Sequence, residues 1–388
     1  MEYRVSTVDH DIICAPDAIS GMADSLERLG VSRALVVCGP TILKHADVVQ
    51  RVRRALGDRC IGLYSGVAPH SPVEMLEEAV AMARELQPDA LVAVGGGSTS
   101  DTCKGIAVLL AEGGDILDYE IRFEPPDRVF VPETPHEKIP IIAVPTTFGA
   151  AELSRGGGGF TSRSLGRKLL ISGEGTTPRV VIIDGAALAT TPMNILLSTG
   201  MGQFRIAVES IYSKDHQPIG DALALHTIKM LVDYLPRCSG RDIEYLLQAK
   251  TAACMVMLAR PGLGLNTATA HHVGGLYDVP HGEANSILLP HTMRFNLDAC
   301  ADRQVLIAEA MGIDTSGMTD HEAGLHAADG VAGLCRSLGL PERLRDVGVP
   351  EDGLELIAAA TLHDRGLATN PKPVHDAGPI MSVLRDAW

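Results

Sequence analysis

The feature that most constrains the fold is an alternation in the first half of the chain. "RALVVCG" (33–39) precedes the helical pattern "ILKHADVVQRVRRAL", and "CIGLYSG" (60–66) precedes "SPVEMLEEAVAMARELQ". "DALVAVGGG" (89–97) runs into "STSDTCKGIAVLLAEG", "KIPIIAVPTT" (138–147) is a further strand candidate, and "RVVIIDG" (179–185) closes the region. Short β-branched runs that alternate with amphipathic helices predict a parallel sheet with helices on both faces. After Asp184 the periods become long and helical, as in "PMNILLSTGMGQFRIAVESIYS", "IGDALALHTIKMLVDYLP" and "RDIEYLLQAKTAACMVMLA", and no strand is convincing. The expectation is an α/β domain over 1–186 and an all-α domain over 187–388, and 388 residues suffice for both. The glycine run 156–159 is expected to be a loop.

Composition narrows the function. A formal charge of −15 argues against nucleic acid or an anionic membrane as partner, since both reward basic patches. It leaves an anionic small substrate open, because a few local cations suffice. The eight cysteines include no C-x-x-C pair, so a thiolate zinc site or redox motif is not expected. There is no signal-peptide pattern at the start and no apolar stretch of spanning length, so a cytoplasmic protein is expected.

"VAVGGGSTSDTCKGIA" reads as a strand, a glycine turn and a helix start. Gly95, Gly96 and Gly97 let the backbone approach a ligand closely, and Ser98 or Thr99 is placed to cap the helix. Exposed amides and the helix dipole then favour a phosphate. The stretch is neither G-x-G-x-x-G nor a Walker A loop, and a ligand-free turn is the plainer alternative. "AVPTTFGAAE" (143–152) ends another strand with small and hydroxylic residues, so both segments can line one crevice at the carboxyl edge of the sheet.

With these residues the chain resembles the iron-containing (group III) alcohol dehydrogenase family. The shared pattern is G-G-G-S-x-x-D-x-x-K, here Gly95, Gly96, Gly97, Ser98, Asp101 and Lys104, then P-T-T at 145–147 with Glu152, and Lys168 before Asp184. "TGM" (199–201), "PHG" (280–282), "LLPH" (288–291), "FN" (295–296) and "TNPKP" (369–373) follow in order. The resemblance implies a Rossmann-like domain that binds NADH or NADPH and a helical domain, with the catalytic site between them, as in dehydroquinate synthase. It also implies a homodimer. Its candidate cofactor contacts are Gly39, Gly96, Gly97, Ser98, Asp101, Thr146, Thr147, Phe148 and Lys168. "PTTFGAAE" is one residue shorter than the usual P-T-T-x-G-T-G-S-E and is similar to the form in maleylacetate reductases, as is "GVAPHSP" (66–72).

The family's metal is held by an Asp and a His four apart on one helix and by two later His. In this sequence those positions are Gly202, Ile206, Thr267 and His281. Glycine and isoleucine cannot coordinate, and threonine is a poor ligand for a divalent transition metal. No metal is therefore expected, the alternative being a rearranged site drawing on His272, His226 or Glu209. Without a Lewis acid, a proton donor or fixed cation must serve. Candidates are His271 and His281 as donors and Arg205 as a cation facing the cleft and pairing with a substrate carboxylate. The plainer readings are core histidines and an ordinary salt bridge. Maleylacetate reductases, which resemble this chain, work without the metal on an already electrophilic dicarboxylate. The expected function is a metal-independent NAD(P)H-dependent reductase of an activated, carboxylated, unsaturated or keto substrate. The alternatives are a dehydroquinate synthase-like lyase or cyclase and an inactive scaffold subunit. Gly39 stands where an Asp would hold the ribose hydroxyls of NAD, so NADPH is expected to be accepted, alongside NADH.

Overall fold

The computed structural model describes residues 10–388 except 46, 125–127, 163, 166, 259–261 and the side chain of residue 167. Its strands are β1 (Asp11–Ala15), β2 (Ala34–Cys38), β3 (Cys60–Tyr64), β4 (Ala90–Gly95), β5 (Arg122–Glu124), β6 (Arg128–Phe130), β7 (Ile141–Pro145), β8 (Gly159–Ser162), β9 (Arg167–Leu170) and β10 (Val180–Asp184). Its first helices are α1 (Met22–Arg28), α2 (Pro40–His45), α3 (Val48–Leu56), α4 (Val73–Leu86) and α5 (Gly97–Ala111). After β10 come α6 (Gly185–Ala189), α7 (Met193–Tyr212), α8 (Pro218–Arg237), α9 (Ile243–Leu258), α10 (Leu265–Tyr277), α11 (His281–Ala310), α12 (Asp320–Ser337), α13 (Leu354–Thr361) and α14 (Ala377–Asp386).

A six-stranded parallel sheet, ordered β1-β10-β7-β4-β2-β3, forms the N-terminal domain. β2, β7 and β10 are buried at every position, which is why they read as continuous apolar runs. Alternate residues serve opposite faces. Val36, Val92, Val94 and Val144 pack with Val48 and Val52 of α3 on one face. Leu35, Val37, Leu91 and Ala93 pack with Leu76 of α4 and Ile106 of α5 on the other. Strand order reverses between β2 and β4, so a crevice opens beyond their carboxyl ends, the usual ligand position in such sheets.

Among the described residues every element after β10 is helical. α7 lies at the centre, packed against α8, α9 and α11. Its residues from Leu196 to Tyr212 are almost all buried, the charged pair Arg205 and Glu209 among them.

Two local expectations are corrected, and a third holds for all but its last residue. The pattern over 42–56 forms two helices, α2 and α3, rather than one. Ser98 and Thr99 lie inside α5 and cap nothing; the N-cap is Gly96, whose extended backbone begins the helix without a side-chain bond. The glycine run expected as a loop leads at Gly159 into the β8–β9 hairpin, whose strands pair antiparallel from Gly159 with Leu170 to Ser162 with Arg167. The β5–β6 hairpin and β1 also escape the alternation pattern, because β1 is a half-exposed edge strand and the hairpins are three or four residues long.

Candidate active site

The crevice is built from the carboxyl ends of three neighbouring strands. Registers of Cys38 with Val94 and Gly95 with Pro145 bring Gly39, Gly96–Ser98 and Thr146–Phe148 side by side. A Cβ on Gly96 would stand 3.1 Å from Thr147 Cγ2, and one on Gly97 3.3 Å from Ala151 Cβ, so these loops meet closely because glycine is there. The uncapped first turn of α5 opens into this place, which suits a dinucleotide phosphate. The Thr146 amide donates to Gly95 O at 3.0 Å, and its carbonyl accepts from Thr191 Oγ1 at 2.7 Å. Phe148 is fully buried in the core beneath α7, so only its backbone borders the crevice, with its amide donating to Thr199 Oγ1 at 3.2 Å.

Two buried lysines hold the loop after β7. Lys104 Nζ donates to Ala151 O, Ser154 O and Ser154 Oγ at 2.7–2.8 Å. Lys250 of α9 donates to Glu152 Oε1 at 2.6 Å and to Gly149 O, with both side chains of the ion pair buried. Burial lowers the Lys250 pKa, but Glu152 outweighs it and leaves it raised. Lys104, part of the shared sequence pattern, is thus structural.

Asp101 and Lys168 face each other beside β8. A Cβ on Gly159 would lie 3.0 Å from Lys168 Cε and 3.7 Å from Asp101 Oδ2. Burial pushes the Asp101 carboxyl up against the opposing lysines 104 and 168, and pushes the Lys168 ammonium down against Asp101 and Asp364.

On the helical side, the "HHVGGLYDVPHG" stretch spans α10 and the start of α11. The His271 and His281 rings stack with centroids 5.6 Å apart and planes inclined by 13°. His271 Nδ1 lies 2.8 Å from Asp364 Oδ2, and Asp364 Oδ1 accepts from the Gly366 amide at 2.8 Å. Burial opposes ionisation of Asp364, but His271 and the Gly366 amide hold its carboxyl below the usual range. A carboxylate accepts, so Nδ1 donates and Nε2 is the ring nitrogen left for chemistry. His281 differs. Burial first, then the charges of Lys168, His271, Arg205 and His70, hold it well below the ordinary histidine value, and therefore neutral.

The start of α10 is fixed by Asn370 from "TNPKP". Its Oδ1 accepts from the Leu265 amide and from Asn296 Nδ2, both at 3.0 Å, and its Nδ2 donates to Asn296 Oδ1 at 2.8 Å. "FN" and "TNPKP" therefore act together as a buried clamp that sets the position of Thr267 and His271.

The corner expected to hold the family metal is filled differently. Arg205 reaches from α7 to Thr267: Nη1 donates to Thr267 Oγ1 and, at 3.1 Å, to Glu209 Oε2. Glu209 also accepts from the Thr267 amide at 3.2 Å and from the Thr267 hydroxyl. Arg205, read above as a cleft cation or an ordinary salt bridge, makes the salt bridge through Nη1, because Glu209 one turn along α7 lies fully buried and needs a partner. The residues of this corner do not fit a divalent metal. Thr267 is committed, Glu209 is neutralised by a guanidinium, and no described group of three His, Cys, Asp or Glu is placed to hold an ion. Of the alternative ligands, His272 Nε2 turns toward Asp364 at 3.8 Å, and His226 lines a groove with Lys229 and Glu309.

The structure thus gathers His271, His281 and Arg205 on the helical side and the glycine turn, Thr147 and Asp101 on the sheet side, with Lys168 between them, within electrostatic reach of Asp101, Asp364 and His281. Two further residues join them that the sequence does not single out. Asp364, 93 positions from His271, has no local pattern to mark it. His70 stands in "GVAPHSP", where consecutive positive φ values of 61° and 48° at His70 and Ser71 form an uncommon turn. Ser71 Oγ pins that turn to Ser98 O at 3.1 Å, and His70 Nε2 lies 3.3 Å from Asp278 Oδ1.

An open parallel sheet with a phosphate-suited turn faces helices that carry an Asp-oriented histidine, an arrangement that suits an oxidoreductase. The chain belongs to the iron-containing alcohol dehydrogenase family, whose models match residues 9–185 (iron-containing alcohol dehydrogenase) and 196–388 (its C-terminal part). It is 29% identical to an NAD-dependent methanol dehydrogenase of Bacillus methanolicus, over 95% of this chain and 96% of that one. It is 27% identical to a maleylacetate reductase of Pseudomonas knackmussii, over 97% and 95% of the two chains. The solved structure of a 1,3-propanediol oxidoreductase superposes with a TM-score of 0.88 at 30% identity, covering both chains completely. The protein is an oxidoreductase of this family, and no described helix is long and apolar enough to cross a membrane.

Proposed function

We propose that this protein is a metal-independent NAD(P)H-dependent reductase of an activated, carboxylated, unsaturated or keto acid, similar in reaction to the maleylacetate reductases. One observation carries the reading. Three of the four positions that hold metal in the family are Gly202, Ile206 and Thr267, and the Thr267 hydroxyl is taken up by Glu209 and Arg205. A substrate already electrophilic tolerates that loss best.

Gly39, Gly96, Gly97, Ser98, Thr146 and Thr147 would hold the dinucleotide, with Asp101 and Lys168 beside them and the Phe148 backbone at the border. The bound cofactor supplies hydride. His271 supplies the matching proton from Nε2 while Asp364 stabilises the charged ring, and solvent restores it. Neutral His281 orders the stack. A homodimer in the cytoplasm belongs to the same reading.

The test is oxidation of NADH and NADPH by maleylacetate and related keto acids after exhaustive chelation. Turnover should survive and should not rise with added iron or zinc. Activity that vanishes and returns with metal would sink the proposal, and cofactor binding without net oxidation would favour the dehydroquinate synthase-like alternative. Cofactor choice is a separate expectation. Gly39→Asp should raise the KM for NADPH about tenfold or more by repelling the 2′-phosphate, with NADH affected less. A new Cβ there also meets Val67 O at 3.1 Å, so thermal unfolding should be followed alongside.

A further inference from the structure

We propose that the Arg205 guanidinium is the resident cation of this site, and that its free N–H donors receive a carboxylate or developing oxyanion of the substrate. This rests on the reductase reading of the cleft and names the group that would bind the charged oxygen.

The geometry carries it. Arg205 lies one residue from Ile206 and three from Gly202, and its guanidinium reaches Thr267, the third of the altered positions. Its side chain is 5% exposed. Among the described residues its hydrogen bonds run through Nη1, and Nε is buried without a partner. A guanidinium presents five N–H donors in one rigid plane, so the group is held at one corner while donors remain. Glu209 is itself saturated by Thr267 and Arg205, and so it orients the fork. The pair is neutral in sum. Its attraction is therefore short-ranged and directional, which suits a planar carboxylate or an enolate oxygen better than a neutral alcohol.

One turn before Arg205 on α7, the packing is loose enough at Gly202 for an added methyl. A Cβ added to Gly202 would have a single neighbour, Gly282 Cα at 4.0 Å, whereas one added to Gly282 would lie 2.3 Å from Ser198 O. α7 and α11 thus touch closely at Gly282 and less closely at Gly202, next to the start of α11 and His281.

The test uses the intact protein and two variants. R205L/E209Q removes both charges together, and Arg205→Lys keeps the charge but loses the planar fork. Calorimetry with succinate in the presence of NADP⁺ reads anion binding without turnover, and maleylacetate reduction reads catalysis. Wild type should bind succinate. Both variants should bind it at least tenfold more weakly, with turnover lowered by about 10²–10³-fold and NADPH affinity unchanged. Succinate binding and turnover within threefold of wild type in both variants would overturn the proposal, as would wild type that binds no dicarboxylate. If R205L/E209Q fails to fold, Arg205→Lys alone decides. Arg205-dependent succinate binding in a protein that oxidises no NAD(P)H would sustain this inference and sink the reductase reading. Reductase turnover indifferent to both variants would do the reverse.

Discussion

Replacing His271 by alanine is expected to lower turnover by about 10²–10⁴-fold while leaving NADPH affinity unchanged, the range for loss of a positioned general acid. The reason lies in its partners. Asp364 accepts from Nδ1 at 2.8 Å and sets the ring so that Nε2 carries the transferable proton. His281→Ala should cost less, because burial and the surrounding positive charges keep that ring neutral. Steady-state kinetics with a parallel cofactor titration checks both. Equal losses in the two variants would mean that the stacked pair acts as one unit. Asp364→Asn gives a further readout. The folded protein holds this carboxyl below its unfolded value, so the stability it contributes is present above about pH 4 and is lost as pH falls through the lower folded value. An amide that does not titrate, in place of the carboxylate, should therefore flatten acid unfolding in that window.

The largest expected loss of stability is at Lys250. Lys250→Met leaves Glu152 buried without its cation, and breaking such a pair costs about 3–5 kcal/mol. The same change frees Gly149 O, so the loop after β7 should loosen against α9 and dinucleotide affinity should fall too. Adding Glu152→Gln should recover most of the stability, because a neutral amide is far less costly to bury than a lone carboxylate. Denaturant unfolding of the single and double variants decides it; equal stability of Lys250→Met and wild type would show that the pair contributes little. Lys250 lies 98 residues from Glu152, so this contact ties the helical domain to the cofactor crevice.

The sheet strands β2, β3, β4, β7 and β10 and helices α7, α8 and α9 were legible in the sequence because periodicity in hydrophobic residues records which face is buried. The glycine turn was legible for a related reason, since Gly96 and Gly97 sit where the backbone of two loops comes close. β1 and both hairpins were not, since half-exposed edges and strands of three or four residues carry too little pattern. The sequence also placed His271, His281 and Arg205 near one another, through family positions rather than local spacing.

By itself, then, the sequence determined the class of fold, the crevice at the ends of its strands, and the loss of coordinating residues at positions 202, 206 and 267. Those depend on residue type and on short-range order along the chain. Only the tertiary structure decided what replaced them. It turned Arg205 inward onto Glu209 and Thr267, gave His271 a carboxylate from the far end of the chain, and brought His70 across from the other domain. A buried charge takes whatever partner the packing delivers, and which residues packing delivers is settled by contacts between segments far apart in sequence.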